Sequence, residues 1–172
     1  MAELTSLERL QPSLLDRLSD DDTEQAIEPR DQRILSMRGL RKAVLRDLGW
    51  LLNSISLGSF RDLSESPLVE QSVVNFGLPD LAGKTAAGLD REALGQRIRQ
   101  AIWRFEPRIL RDSLRVVPVA PSGTPSSPNQ MAFEIHGELW GQPLPERLYL
   151  KTELDLEAGE ARIFDIETRD VR

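Results

Sequence analysis

Cysteine is absent from the 172 residues, and histidine occurs once, as His136. The first absence removes disulfides, thiolate zinc sites and a Cys nucleophile together. The second leaves too few imidazoles for a His-rich metal centre or a Ser-His-Asp triad. Aromatics are scarce, with 5 Phe, 3 Trp and 1 Tyr, so no aromatic-lined sugar cleft is expected. No apolar run approaches the ~18 residues of a membrane span. The first fifteen residues carry Glu3 and Glu8 where a secretory signal needs positive charge. A soluble, cytoplasmic protein is therefore expected. Cations are outnumbered, 22 to 28, and the net charge of −6 argues against a nucleic-acid partner.

Glycine never falls into a nucleotide-binding pattern. Gly83-Lys84-Thr85 has the tail of a phosphate loop, but Leu78 stands where the motif needs its first glycine. The residues thus call for no metal and no cofactor.

The chain does contain strong periodicities. Leu4, Leu7, Leu10, Leu14 and Leu18 form a stripe at helical spacing, interrupted by Pro12. Ser19 to Gln32 is rich in acidic residues and reads as a solvated linker. This divides the chain into an N-terminal helix with acidic linker, 1–32, and a main domain, 33–172. Leu40, Val44, Leu48, Leu51 and Ile55 predict a helix over 38–57 that ends near Gly58 in a left-handed cap. Pro67 opens a short apolar run through Val74, closed by the turn-forming Asn75-Phe76-Gly77-Leu78-Pro79. These helical stripes are expected to be core. A further helix runs from Asp90, a suitable N-cap, to Phe105, and Pro107 stops it.

The period then changes to two. Strands are predicted around 114–119, 131–140, 146–155 and 161–167, with a Pro/Gly/Ser-rich connection at 120–130. Helices first and strands afterwards give an α+β domain, with N-terminal helices packed on a small antiparallel or mixed C-terminal sheet.

Two polar groupings stand out. His136 shares a strand face with Glu134 and Glu138, which is one ligand short of a metal site unless another strand contributes. Glu106-Pro107-Arg108 leaves the second long helix with Pro107 restricting the geometry of both charged neighbours. A carboxylate at a helix C-terminus is disfavoured by the macrodipole, so Glu106 needs a cationic partner. Local ion pairing and partner binding both remain open on these residues alone. Arg108 is expected to be partly exposed, so that its removal costs assembly rather than folding.

Ser13-Leu14-Leu15-Asp16-Arg17-Leu18, Leu45-Arg46-Asp47-Leu48, Trp50-Leu51-Leu52-Asn53, Asn75-Phe76-Gly77-Leu78-Pro79-Asp80, Phe105-Glu106-Pro107-Arg108 and the Phe133/Ile135/Gly137/Leu139 strand, in this order, resemble the TssE family. These are baseplate subunits of type VI secretion systems, among the contractile-phage baseplate wedge proteins once labelled lysozyme-like. The resemblance implies a non-enzymatic structural protein at the inner-membrane-docked secretion baseplate, without direct membrane insertion. It implies that Glu106, Pro107 and Arg108 contact the wedge proteins TssF and TssG, with TssK associated. It also implies that the C-terminal sheet engages the first ring of sheath proteins TssB and TssC. Main-chain pairing at a sheet edge would serve that contact. The last strand, with Ile163 and Phe164, is the first choice for the edge. The old label leaves a peptidoglycan glycoside hydrolase as the alternative, and a free-standing peptide-binding module as a third class.

Overall fold

The computed structural model describes Asp16 and residues 37–121, 129–141 and 145–166. The N-terminal leucine stripe, the acidic linker and, Asp16 apart, the rest of 1–36 lie outside the described residues, as does most of the 120–130 connection.

Among the described residues, the α-helices from Met37 on precede a four-stranded sheet, so the chain is α+β. Helix α1 spans Met37–Asn53, α2 is the single turn Pro67–Glu70, and α3 spans Arg91–Phe105. Asp90 caps α3 by accepting from the backbone N–H groups of Glu92 and Ala93. The strands are β1 Arg115–Val119, β2 Gln130–Leu139, β3 Glu146–Asp155 and β4 Glu160–Asp165. They pair antiparallel throughout in the order β1-β2-β3-β4, which leaves β1 and β4 as edges.

One face of the sheet carries Met131, Phe133, Ile135 and Leu139 beside Leu148, Leu150, Thr152 and Leu154, all buried. Leu40, Val44, Leu48 and Leu51 of α1 and Leu94, Ile98 and Ile102 of α3 complete the same core. The stripes at 3.6 spacing and the alternation at spacing two meet here, as their periods require. The opposite face, with His136, Tyr149, Lys151 and Phe164, is only partly covered.

Two expectations need correction. Helix α1 stops at Asn53, not near Gly58, and Gly58 is not among the glycines with positive φ. The chain leaves the helix because Ser54 and Ser56 pair with Leu78: the Leu78 N–H donates to Ser54 O and the Ser56 N–H to Leu78 O, each at 2.8 Å. Ile55 is consequently half exposed, outside the core stripe. The apolar run at 67–74 is not core either. Leu68, Val73 and Val74 point largely to solvent, because the segment's own core place is taken by Leu63 and Asn75.

Candidate functional site

Helix α3 ends at Phe105, and the chain turns through Glu106-Pro107-Arg108 into the sheet. The turn is tied down at both sides. The Glu106 N–H still closes the helix on Ile102 O at 2.9 Å, and the Trp140 N–H donates to Arg108 O at 2.7 Å. Next along the chain, Ile109 bridges to Leu139. Proline in the middle suits this exit, since it cannot continue the helix and needs no N–H partner.

Glu106 is 3% exposed and the only buried carboxylate among the described residues. Its partner is Arg108, whose Nε donates to Oε1 at 2.6 Å and whose Nη2 donates to Oε2 at 2.5 Å. The Arg108 backbone N–H adds a third bond to Oε1 at 3.2 Å. Arg108 Nη2 also reaches Asp47 Oδ2 on α1, at 2.6 Å. Asp47 in turn accepts from Arg46, and Arg46 holds Asp16. The result is an alternating chain of charges, Asp16, Arg46, Asp47, Arg108 and Glu106, that fastens the end of α3 to the middle of α1. Charge-assisted, forked bonds of this kind are the strong ones.

Burial works against the Arg108 cation, yet hydrogen bonds and charge from Glu106, then from Asp47, raise its pKa well above the ordinary guanidinium value. Bonds to Asp16 and then Asp47 raise that of Arg46. Arg108 Nη1 and Arg46 Nη2 are each shielded from solvent without a hydrogen-bond partner among the described residues. The corner therefore has donor capacity left over after its internal bonds are made. Of the three residues singled out in sequence, Pro107 is exposed, Arg108 is half-buried and Glu106 is internal.

Sequence reading missed two contributors. Asp47 sits beside the apolar stripe of α1, and its signal was a charge adjoining Leu48 with no helical i+4 partner of opposite sign. Asn53 was the second. Its Nδ2 donates to Ala161 O at 2.9 Å, and its Oδ1 accepts the Ala161 N–H at 2.8 Å. One amide thus occupies both outward groups of a β4 residue. The Ile166 N–H points the other way, to Tyr149 O on β3. By alternation along the strand, Ala161 and Ile163 direct their backbone groups outward, while Phe164 directs its N–H to β3. Ile163 packs its side chain towards the core, and Phe164 lies on the opposite face. At the other edge, Pro118 places its missing N–H outward, which blunts β1.

His136 contacts Glu134 at 3.1 Å and the Tyr149 ring edge-on at 5.2 Å. Among the described residues no three ligand-type side chains converge on a metal-sized site. A carboxylate pair suited to glycoside cleavage would need one acid with a raised pKa. Asp62 and Glu65 line an open groove of about 470 Å³. The Ser64 backbone N–H, 3.0 Å from Asp62, instead lowers the pKa of that carboxylate.

The fold and this corner describe a structural component: a small α+β domain with its helices braced by an ion chain and an edge strand at its rim. The family model described as baseplate wedge protein gp25 matches residues 38–144, and the chain belongs to that family. No curated protein and no solved structure matches the chain. The matched region holds Asp47, Glu106 and Arg108 and ends before β3. A structural role in a phage-like baseplate, with other baseplate proteins as partners, follows from the family. No described helix is long and apolar enough to cross a membrane.

Proposed function

We propose that the protein is the type VI secretion baseplate subunit that joins the wedge to the first ring of the contractile sheath and helps to initiate sheath assembly. The observation that carries this reading is the Glu106-Pro107-Arg108 corner. Its exposed Pro107 and the partly exposed Arg108 side chain sit on a turn fixed to α1, α3 and the sheet. A partner helix of TssF or TssG, with TssK associated, would meet a preorganised surface there, which lowers the ordering cost of binding. The sheath proteins TssB and TssC would add a strand to β4. Ile163 offers an outward N–H and C=O for this, next to Ala161, whose groups Asn53 already holds. Work at a cytoplasmic baseplate docked on the inner membrane is the corresponding location. Pull-downs with purified TssF–TssG and with TssB–TssC separately test the two contacts. Binding to neither set overturns the reading.

Ile163→Pro is expected to abolish sheath recruitment while leaving wedge binding intact. The substitution removes a donor that faces away from β3, so the sheet's own ladder keeps its bonds. Phe164→Pro removes a donor within the ladder and is expected to lower the melting temperature instead. Retention of sheath binding by folded Ile163→Pro moves the contact to another strand.

No hydrolysis of cell wall is expected. Release of soluble fragments from purified peptidoglycan, abolished by Asp62→Asn or Glu65→Gln, would show the opposite.

A further inference from the structure

Helix α3 buries Leu94, Gly95, Ile98, Ala101 and Ile102 and turns its other side to solvent. The outward strip is Gln96, Arg99, Gln100 and Trp103, with Arg97 and Arg104 along its flank, all exposed. Trp103 keeps 46% of its surface in water, and the Arg111 guanidinium lies over its ring at 5.2 Å. Arg111 belongs to the short turn Arg111–Ser113 after the helix, so two segments build the patch.

The charge of this face has one sign. From Ala93 to Arg111 the chain holds five arginines and a single carboxylate, Glu106, which is buried and held by Arg108. Arg97, Arg99, Arg104 and Arg111 pair with no carboxylate among the described residues. Glu92 in the first turn and Asp112 after Arg111 mark its limits, and Glu70 meets Arg104 through its backbone O at 2.8 Å. Residues 33–172 hold nineteen charges of each sign, so the domain has segregated its cations here. Like charges gathered without internal partners repel one another, and an anionic partner relieves that repulsion.

We propose that the outward face of α3 docks an acidic helix of a protein partner. Its carboxylates meet Arg97, Arg99 and Arg104, and one large apolar side chain packs beside Trp103. Arg97 and Arg104 stand about 10.5 Å apart along the axis with Arg99 between them, a spacing that acidic residues two turns apart on a facing helix reproduce. Guanidinium forks fit carboxylates, and Trp with Arg are the side chains that most often anchor interfaces. A second copy of this chain would set arginine against arginine. A nucleic-acid strand needs successive aromatic platforms, whereas Trp103 stands alone and Arg111 already covers it. A bilayer needs a broad apolar face, and Trp103 is the only exposed large apolar residue of α3. The surface adjoins the Pro107 turn, but the proposal does not rest on what that turn contacts.

Fluorescence anisotropy of a labelled synthetic helix, titrated with the full chain, tests it. The probe carries glutamates along one face around a central leucine. Arg97→Glu with Arg99→Glu is expected to weaken binding by about tenfold or more and to accept the same peptide with lysine for each glutamate. Trp103→Ala, which leaves every charge in place, is expected to weaken binding roughly tenfold. These side chains are exposed, so the melting temperatures should stay near that of the parent. A peptide of equal composition with its glutamates spread around the helix should bind poorly. Failure of the unaltered protein to bind the probe overturns the proposal, as does equal binding by the charge-reversed variant. An oligo-dT strand or phosphatidylserine vesicles bound more tightly than the probe, and released by the same reversal, also overturn it. So does a rise in probe affinity on Asp20→Asn, Asp21→Asn and Asp22→Asn together, which would give the face to the chain's own acidic stretch.

Discussion

Arg108→Ala is expected to destabilise the protein by about 2–4 kcal/mol, close to the ~2–5 kcal/mol for Leu48→Ala in the core. Removing one partner of a fully buried ion pair costs about 3–5 kcal/mol, because the remaining charge is left desolvated. Glu106 would be that charge, at 3% exposure and with its carboxylate held, among the described residues, by Arg108. The figure is set lower because the Arg108 side chain keeps 23% exposure and water can partly replace it. For a chain of this size the loss corresponds to a melting temperature roughly 4–16 °C lower. This revises the expectation that Arg108 could be removed at little cost to folding. The decisive comparison is the double variant Glu106→Leu with Arg108→Met, in which no buried charge remains and stability should largely return. If wedge binding stays lost while the melt recovers, the charges themselves contact the partner. If wedge binding recovers as well, the corner is only a brace. An Arg108→Ala melt equal to that of the unaltered protein would show that Glu106 is solvated rather than held.

What the sequence revealed follows from how local each feature is. Helix α1, α3 and the four strands each repeat an apolar pattern over two turns or more, and that periodicity survives whatever they pack against. The same holds for the Asp90 cap, whose bonds lie within three residues. The errors came where a distant residue decides the outcome. Ile55 continues the stripe of α1 by spacing, but its neighbours bond to Leu78, twenty-odd positions on, and the helix ends early. Leu68, Val73 and Val74 look like core by composition, yet the interior of their loop is filled by Leu63 and the amide of Asn75. Glu106 announced that it needed a cation, but nothing local could show that Asp47, 61 positions away from Arg108, would share it. The outward direction of Ile163 was fixed only by the register of β4 on β3.

Gly77→Ala and Gly49→Ala are the same chemical change with opposite expected signs. At Gly77 φ is +124°, and a Cβ there would lie 2.4 Å from Ser54 O and 2.6 Å from Ser54 C. Both obstacles are backbone, and they belong to the bridge that closes the 54–78 loop, so neither can swing aside. Positive φ costs a non-glycine residue about 1–3 kcal/mol, and overpacking adds a similar amount, giving a loss of about 2–5 kcal/mol. The loop should open first: exchange at 54–60 and 70–78 should rise before the sheet melts, because β2 and β3 share no bond with that bridge. Gly49 lies in α1 with nothing within 4 Å of an added Cβ. Alanine there removes backbone freedom from the unfolded chain and should stabilise by about 0.5–1 kcal/mol. Thermal melts of the two variants measure both signs. A Gly77→Ala protein as stable as the parent would mean that the Ser54–Leu78 closure is not what holds the loop, whereas a Gly49→Ala loss would show that another segment approaches α1 at that point.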